Sequence, residues 1–218
     1  MSNRSFSWDS FWEFPAVGIL RGFETDLVGE IGHTCFEAGL KNLEVTLNTD
    51  DALNQIRLLR KWAPDGVNVG AGTVLTPEDL HEALEAGAGF IVSPITDEVF
   101  IRECAALKIP VFPGAFTPSE VFHAWKAGAS VVKLFPANNG GPSYLKSIRA
   151  PLNDIPLMAV GSVNLDNLGA YLEAGACSVG LGSPLFEAQR MLAKDWDWLT
   201  GQIHAFHQGF NRAKRIAG

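Results

Sequence analysis

Four times along the chain an amphipathic stretch ends in Ala-Gly and gives way to an apolar run. The pairs are Ala38-Gly39, Ala86-Gly87, Ala127-Gly128 and Ala174-Gly175. Glycine just past a helix supplies the left-handed residue that stops it. A unit of helix, glycine and strand that recurs builds an alternating α and β chain. Two helix starts agree. Thr76-Pro77-Glu78-Asp79 and Thr117-Pro118-Ser119-Glu120 each offer an N-cap Thr, Pro at the first helical position and an acid behind it. Between start and stop the spacing is helical, in Leu80/Leu84, Val121/Ala124/Trp125 and Leu165/Leu168/Leu172.

Eight apolar runs read as strands, near 16–20, 43–47, 67–71, 90–93, 110–113, 131–135, 157–160 and 178–181. Seven gaps between them can each hold one helix. Strict alternation implies parallel pairing. Eight such units in 218 residues predict an α/β fold, a (β/α)8 TIM barrel, with 1–218 as a single domain and an extra N-terminal helix. The alternative is an open doubly wound sheet. It usually carries a glycine-rich first turn, and Leu20-Arg21-Gly22 ends the first strand with no G-x-G-x-x-G. Trp8, Phe11 and Trp12 share one helix face and are expected to plug the barrel floor. Leu199, Ile203, Phe206 and Phe210 repeat at helical spacing near the C-terminus.

Hydrophobic residues make up 47% of the chain, enough for a sizeable core. With a net charge of -7 and no basic stripe, a nucleic-acid partner is excluded. Lysine clusters are absent, which argues against a membrane surface. No signal peptide or membrane span is expected, since Trp8, Phe11, Trp12 and Phe14 lie among polar residues. Cys35, Cys104 and Cys177 read as reduced, buried thiols of a cytosolic protein, without zinc spacing. His204 and His207 share the C-terminal helix, lack further ligands and read as surface or packing residues. No metal or cofactor is expected.

One residue breaks the sixth run. Lys133 sits in Val131-Val132-Lys133-Leu134-Phe135-Pro136, where a charge is costly unless paired, neutral or used. Burial disfavours the ammonium form, and a neutral amine in a pocket suits imine chemistry on a carbonyl. Strand alternation puts Lys133 on one face with Val131 and Phe135. On the second run Leu43, Val45 and Leu47 suit the helix-facing side, so Glu44 and Thr46 point into the barrel. Glu44 and Lys133 should meet or nearly meet. A structural ion pair is the competing reading. Such a pair contributes little to stability, and catalytic groups of this fold gather at the strand C-termini.

Further polar residues lie at those strand ends. Arg21 can match a carboxylate bidentately, or be a solvated arginine. Thr73, after Gly70-Ala71-Gly72, offers a hydroxyl, and the glycines permit close approach or merely a turn. Gly161-Ser162 and Gly180-Leu181-Gly182-Ser183-Pro184 follow the last two strands. Glycine turns leading into helix N-termini bind anions, and in this fold the place is a frequent phosphate site. Pro184 fits the first turn of the final short helix. Two ordinary tight turns are the alternative. Together the residues suggest a phosphorylated 2-keto acid: ketone on Lys133, carboxylate on Arg21 or Thr73, phosphate at the far turns. Carbon–carbon cleavage through an imine then needs no metal and no cofactor.

As a set, Ile19-Leu20-Arg21-Gly22, Leu43-Glu44-Val45-Thr46-Leu47, Gly70-Ala71-Gly72-Thr73-Val74, Ser93-Pro94, Phe112-Pro113-Gly114 and Lys133-Leu134-Phe135-Pro136 are specific. Over about 15–190 the chain resembles the class I 2-keto-3-deoxy-6-phosphogluconate / 4-hydroxy-2-oxoglutarate aldolases. The resemblance implies Lys133 as the Schiff-base lysine and Glu44 as the proton-transferring acid/base, acting through water. It implies carboxylate contacts around Thr73 and Arg21, substrate contacts at Pro94 and Phe135, and phosphate contacts at Gly161, Ser162, Gly182 and Ser183. It implies a cytoplasmic homotrimer acting on a phosphorylated 2-keto sugar acid to give pyruvate and glyceraldehyde 3-phosphate. The gluconate-type pattern has an arginine where this chain has Asn48, and Gly-Gly where it has Gly161-Ser162. Asn48, the Ile19-Leu20-Arg21-Gly22 start and Gly141-Pro142-x-Tyr144 look like the 6-phosphogalactonate branch, whereas Thr46 looks like the gluconate branch. The C4 configuration of the substrate therefore stays open between the two epimers. The competing functions are another phosphate-binding barrel enzyme, an isomerase or decarboxylase, and a non-catalytic ligand-binding barrel.

Overall fold

The computed structural model describes residues 6–217, with side chains through Ala213. A short helix α1 (Trp8–Glu13) precedes a regular alternation. It runs β1 (Ala16–Leu20), α2 (Thr25–Glu37), β2 (Asn42–Thr46), α3 (Ala52–Trp62), β3 (Asn68–Gly72), α4 (Pro77–Glu85), β4 (Ile91–Val92) and α5 (Glu98–Ala106). Then follow β5 (Val111–Phe112), β6 (Gly114–Ala115), α6 (Pro118–Ala127), β7 (Val132–Leu134), α7 (Gly141–Arg149), β8 (Leu157–Val160), α8 (Leu168–Glu173), β9 (Ser178–Leu181), α9 (Ala188–Leu192) and α10 (Trp196–Ala217).

All the strand pairs are parallel, in the order β5-β4-β3-β2-β1-β9-β8-β7-β6. The two edges are halves of one stave, broken at Pro113, which has no N–H to give. β5 pairs with β4 and β6 pairs with β7, so the barrel closes through this stave. Across the closure Lys133 N–H donates to Pro113 O at 2.9 Å, and Ser130 N–H to Val111 O at 2.9 Å. The predicted eight-unit TIM barrel is therefore the observed fold. Gly39, Gly87, Gly128 and Gly175 all have positive φ at helix ends, and Thr76 and Thr117 both form capping boxes. Trp125 and Leu165, expected on core-facing stripes, are 38% and 40% exposed. Leu165 precedes α8, and helical spacing alone does not tell the middle of a stripe from its edge.

Side chains alternate across the barrel wall. Leu43, Val45, Val132 and Leu134 face the helices, while Val17, Phe90, Val92, Phe112, Val131 and Met158 fill the interior. The floor is closed by fully buried Phe11, with Phe6 edge-on to Phe90 at 5.5 Å. The expected tryptophan plug is corrected here: Trp8 and Trp12 stack on each other at 6.0 Å and stay 36% and 42% exposed. The bore admits one ring from α1, and the indoles remain at its rim. Two buried asparagines hold this cap. Asn68 accepts Ser7 N–H at 2.7 Å and donates to Ser7 O at 3.0 Å and to Asn42 Oδ1 at 2.8 Å. Asn42 in turn donates to Phe14 O at 3.2 Å and to Ala16 O at 3.0 Å. At the other end of the chain Leu199, Ile203, Phe206 and Phe210 are buried, as their spacing predicts, and His207 stacks on Phe14 at 4.8 Å.

Removing the plug ring should leave a cavity under the site. Phe11→Ala is expected to lower unfolding free energy by about 3–5 kcal/mol. Urea denaturation reads this directly, and an unchanged midpoint would show that the floor does not depend on Phe11.

Candidate active site

Lys133 lies in the middle of β7, beside Gly114 of β6 and Met158 of β8. Its neighbours Val132 and Leu134 belong to the outer core, so its own side chain points inward, as does that of Phe135. Only 5% of Lys133 is exposed. The amine stands over the Phe135 ring, 4.9 Å from its centroid. Burial pushes the amine's pKa down; the Glu44 charge opposes this and the Arg21 charge reinforces it.

Glu44 sits on β2 between Ile19 of β1 and Gly70 of β3, and is 1% exposed. Its carboxyl group fits because Gly72 has no side chain: a Cβ there would lie 2.7 Å from Glu44 Cδ. The sequence signal was the alternation of Gly70 and Gly72 in one strand, which marks a close approach. The approaching group at Gly72 is a carboxyl of the chain itself. Burial raises the Glu44 pKa to about 7, against the lowering pull of Lys133 and Arg21. Its Oε2 has no hydrogen-bond partner among the described residues. Among the described residues, too, no direct ion pair joins Glu44 to Lys133. They act on each other across a gap, as the expectation of a near meeting allowed.

A cavity of about 380 Å³ opens above the amine. Its lining includes Lys133, Phe135, Arg21, Gly161, Ser162, Gly182 and Ser183, with apolar walls from Ile19, Val160 and Phe186. Seven of the predicted site residues thus share one chamber; Glu44 is not in its lining but feels the charges of Lys133 and Arg21. Arg21 makes no side-chain hydrogen bond or ion pair with another described residue, yet its charge reaches both Glu44 and Lys133. Thr73 and Pro94 are not on this wall. Pro94 borders a second groove of about 350 Å³ that shares Phe135, and its carbonyl packs so closely on Gly114 that a Cβ there would come within 2.3 Å. Thr73 directly follows Gly72 with φ at 57°, a left-handed backbone that is rare for a β-branched residue.

The two glycine turns differ from expectation. Neither leads straight into a helix: α8 begins at Leu168 and α9 at Ala188. Pro184 lies in a turn over 182–186, where Leu185 and Phe186 N–H both donate to Gly182 O at 2.9 Å. A proline that fits a first helical position also fits an isolated turn, which is why sequence chose the wrong one. The N–H groups of Gly161, Ser162, Gly182 and Ser183 donate to no other described residue, so the turns themselves present donors to the cavity. Gly161 has φ at 127° and lies where a Cβ would fall 2.7 Å from Asn138 Oδ1. All three cysteines are unpaired, with Cys35 and Cys104 buried and Cys177 half-buried.

This arrangement has a pH signature. A carboxyl whose folded pKa rises from 4.5 to about 7 favours the fold below pH 4.5 and loses that contribution as pH climbs through 7. Glu44→Gln should therefore unfold with up to about 3 kcal/mol more stability than the parent at pH 8. The difference should vanish near pH 4. Equal stability at both pH values would show that the carboxyl titrates normally.

The family model described as "KDPG and KHG aldolase" matches residues 13–202. A Rhizobium meliloti (strain 1021) protein named "Probable 2-dehydro-3-deoxy-6-phosphogalactonate aldolase" is 38% identical over 176 residues, covering 80% of this chain and 83% of its own. A solved structure described as "Native KDPGal structure" superposes with a TM-score of 0.85 at 33% identity, covering 92% of this chain and 96% of that one. A KDPG aldolase from Legionella pneumophila, with pyruvate captured at low pH as a covalent carbinolamine intermediate, superposes with a TM-score of 0.82 at 29% identity. That alignment covers 90% of this chain and 96% of the other. With its barrel, its buried amine and a matched span of this length, the chain belongs to the KDPG and KHG aldolase family.

Proposed function

We propose that this protein is a Schiff-base aldolase cleaving 2-dehydro-3-deoxy-6-phosphogluconate, or its 6-phosphogalactonate epimer, to pyruvate and glyceraldehyde 3-phosphate. The observation that carries the reading is a buried amine with a depressed pKa in a chamber shared with Arg21 and two glycine turns. Lys133 attacks the C2 ketone, and loss of water from the carbinolamine gives an imine. Glu44, with a pKa of about 7, gives and takes protons near neutrality. Loss of the C4 hydroxyl proton breaks C3–C4 and releases the aldehyde, with the cationic imine as electron sink. The enamine takes a proton at C3, and hydrolysis of the imine frees pyruvate and the amine.

The other groups hold substrate. Arg21 takes the carboxylate from the chamber wall, and Thr73, just past β3 and outside that lining, approaches it from the side. With exposed Asn48 in place of an arginine, the guanidinium of Arg21 carries most of that contact. The free N–H groups at Gly161, Ser162, Gly182 and Ser183 take the phosphate, and the Ser162 hydroxyl adds a donor. Phe135 packs under the imine, and Pro94 shapes the wall beside β6. Substrate for either C4 epimer fits this description, and 4-hydroxy-2-oxoglutarate offers the same ketone and carboxylate without the phosphate. Side-by-side kinetics on the two epimers decide between the branches. An isomerase or a sensing barrel gives no role to a buried lysine whose pKa burial lowers beside a second titrating group.

The proposal includes a single catalytic unit across 1–218 and a homotrimer in the cytoplasm. Exposed Ile95, Val99 and Phe122 supply apolar surface for contacts between copies. Unpaired thiols suit a reducing compartment, and no helix of the described residues is long and apolar enough to cross a membrane.

Incubation with pyruvate, borohydride reduction and digestion should add mass to the Lys133 peptide. No adduct across a range of pyruvate concentrations would reject the aldolase. Lys133→Ala should fold and have no cleavage activity; turnover near that of the parent would remove the covalent step. Glu44→Gln should slow pyruvate proton exchange by about 100- to 10,000-fold. An unchanged exchange rate would take Glu44 out of the mechanism.

A further inference from the structure

Arg21 faces the cavity with no side-chain partner among the described residues, so its place depends on the backbone that carries it. That backbone is fastened from the connection between β2 and α3. Gly22 N–H donates to Thr49 Oγ1 at 3.0 Å. Thr49 is 7% exposed, and its hydroxyl lies 3.1 Å from the hydroxyl of Thr46. Thr46 is 1% exposed and two residues past Glu44, hence on the same inward face of β2. Fully buried Gln55 adds a second fastening, donating from Nε2 to Phe23 O at 2.8 Å and to Asp50 O at 3.1 Å. The residues just after Arg21 are thus tied to the strand that carries Glu44.

We propose that Thr49 is a positioning residue: by holding Gly22 N–H it keeps the Arg21 guanidinium over the cavity and sets affinity for the substrate carboxylate. The inference rests on the carboxylate role given to Arg21 above. Its physical basis is simple. A long side chain with a free end aims only as well as its Cα is fixed, and Gly22, at φ +73°, would otherwise leave residue 21 on a flexible hinge. Thr49 touches no substrate, so the chemical steps on Lys133 should not depend on it. The strength of one net hydrogen bond sets the scale, about three- to tenfold in apparent affinity.

The test compares two probes that share a ketone and differ in charge. Pyruvate and methyl pyruvate are each titrated against borohydride trapping, with Thr49→Val, Thr49→Ser, Arg21→Ala and the Arg21→Ala/Thr49→Val double variant beside the parent. Thr49→Val should raise the half-saturating pyruvate concentration about three- to tenfold, leave the maximal trapping rate within about twofold, and leave methyl pyruvate unmoved. Thr49→Ser should restore the parent value. The double variant should bind pyruvate no more weakly than Arg21→Ala alone, because the fastening acts through Arg21. Should Thr49→Val not fold, Thr49→Ala read against Thr49→Ser makes the same comparison. Equal losses for both probes, or an additive double variant, would overturn the proposal. A parent that traps pyruvate while Thr49→Val behaves identically would overturn the fastening alone. A parent that traps neither probe would take down the aldolase reading, and this inference with it.

Discussion

An amine and a carboxyl group face each other inside one barrel without touching, and the competition between burial and their mutual attraction governs the site. Burial drives each toward its neutral form, while the charge on one would hold the other charged. For Glu44 burial wins, and the carboxyl titrates near neutrality. For Lys133 burial is again the largest influence, with Arg21 adding to it. A tight ion pair would have tipped the balance the other way and fixed both groups in their ordinary charged states. The gap between them is therefore the functional dimension: it leaves an amine free to attack and an acid free to exchange protons.

The fold keeps that gap open by omission. Gly72 makes room for the Glu44 carboxyl, and Gly114 lets the Pro94 backbone close on the stave beside Lys133. Below, Phe11 and the interior rings seal the bore, held by Asn42 and Asn68. Above, the glycine turns offer bare N–H groups and Arg21 offers the charge. A dry floor, a titrating middle and a polar mouth suit a substrate that is a ketone at its reacting carbon and anionic at its ends.

Much of this was legible in the residues. The Ala-Gly stops and Thr-Pro starts fixed the barrel because each is a local backbone requirement. Lys133 and Glu44 stood out because strand alternation turns a period of two into an inside and an outside. The signals that failed depend on distant neighbours. Trp8 and Trp12 share a face with Phe11, but only the width of the bore decides which ring enters. Pro184 has the chemistry of a helix start and sits in an isolated turn. Thr49, Gln55, Asn42 and Asn68 carry no spacing that announces them, since each acts by bonding backbone brought near by the fold.

The ionisation of one amine decides the account. Lysine Cε chemical shifts followed by NMR from pH 5 to 11 would report it in the intact protein. Lys133 should titrate well below the surface lysines, and its curve should move when Glu44 is replaced by Gln. A Lys133 that titrates together with the exposed lysines would contradict the central claim.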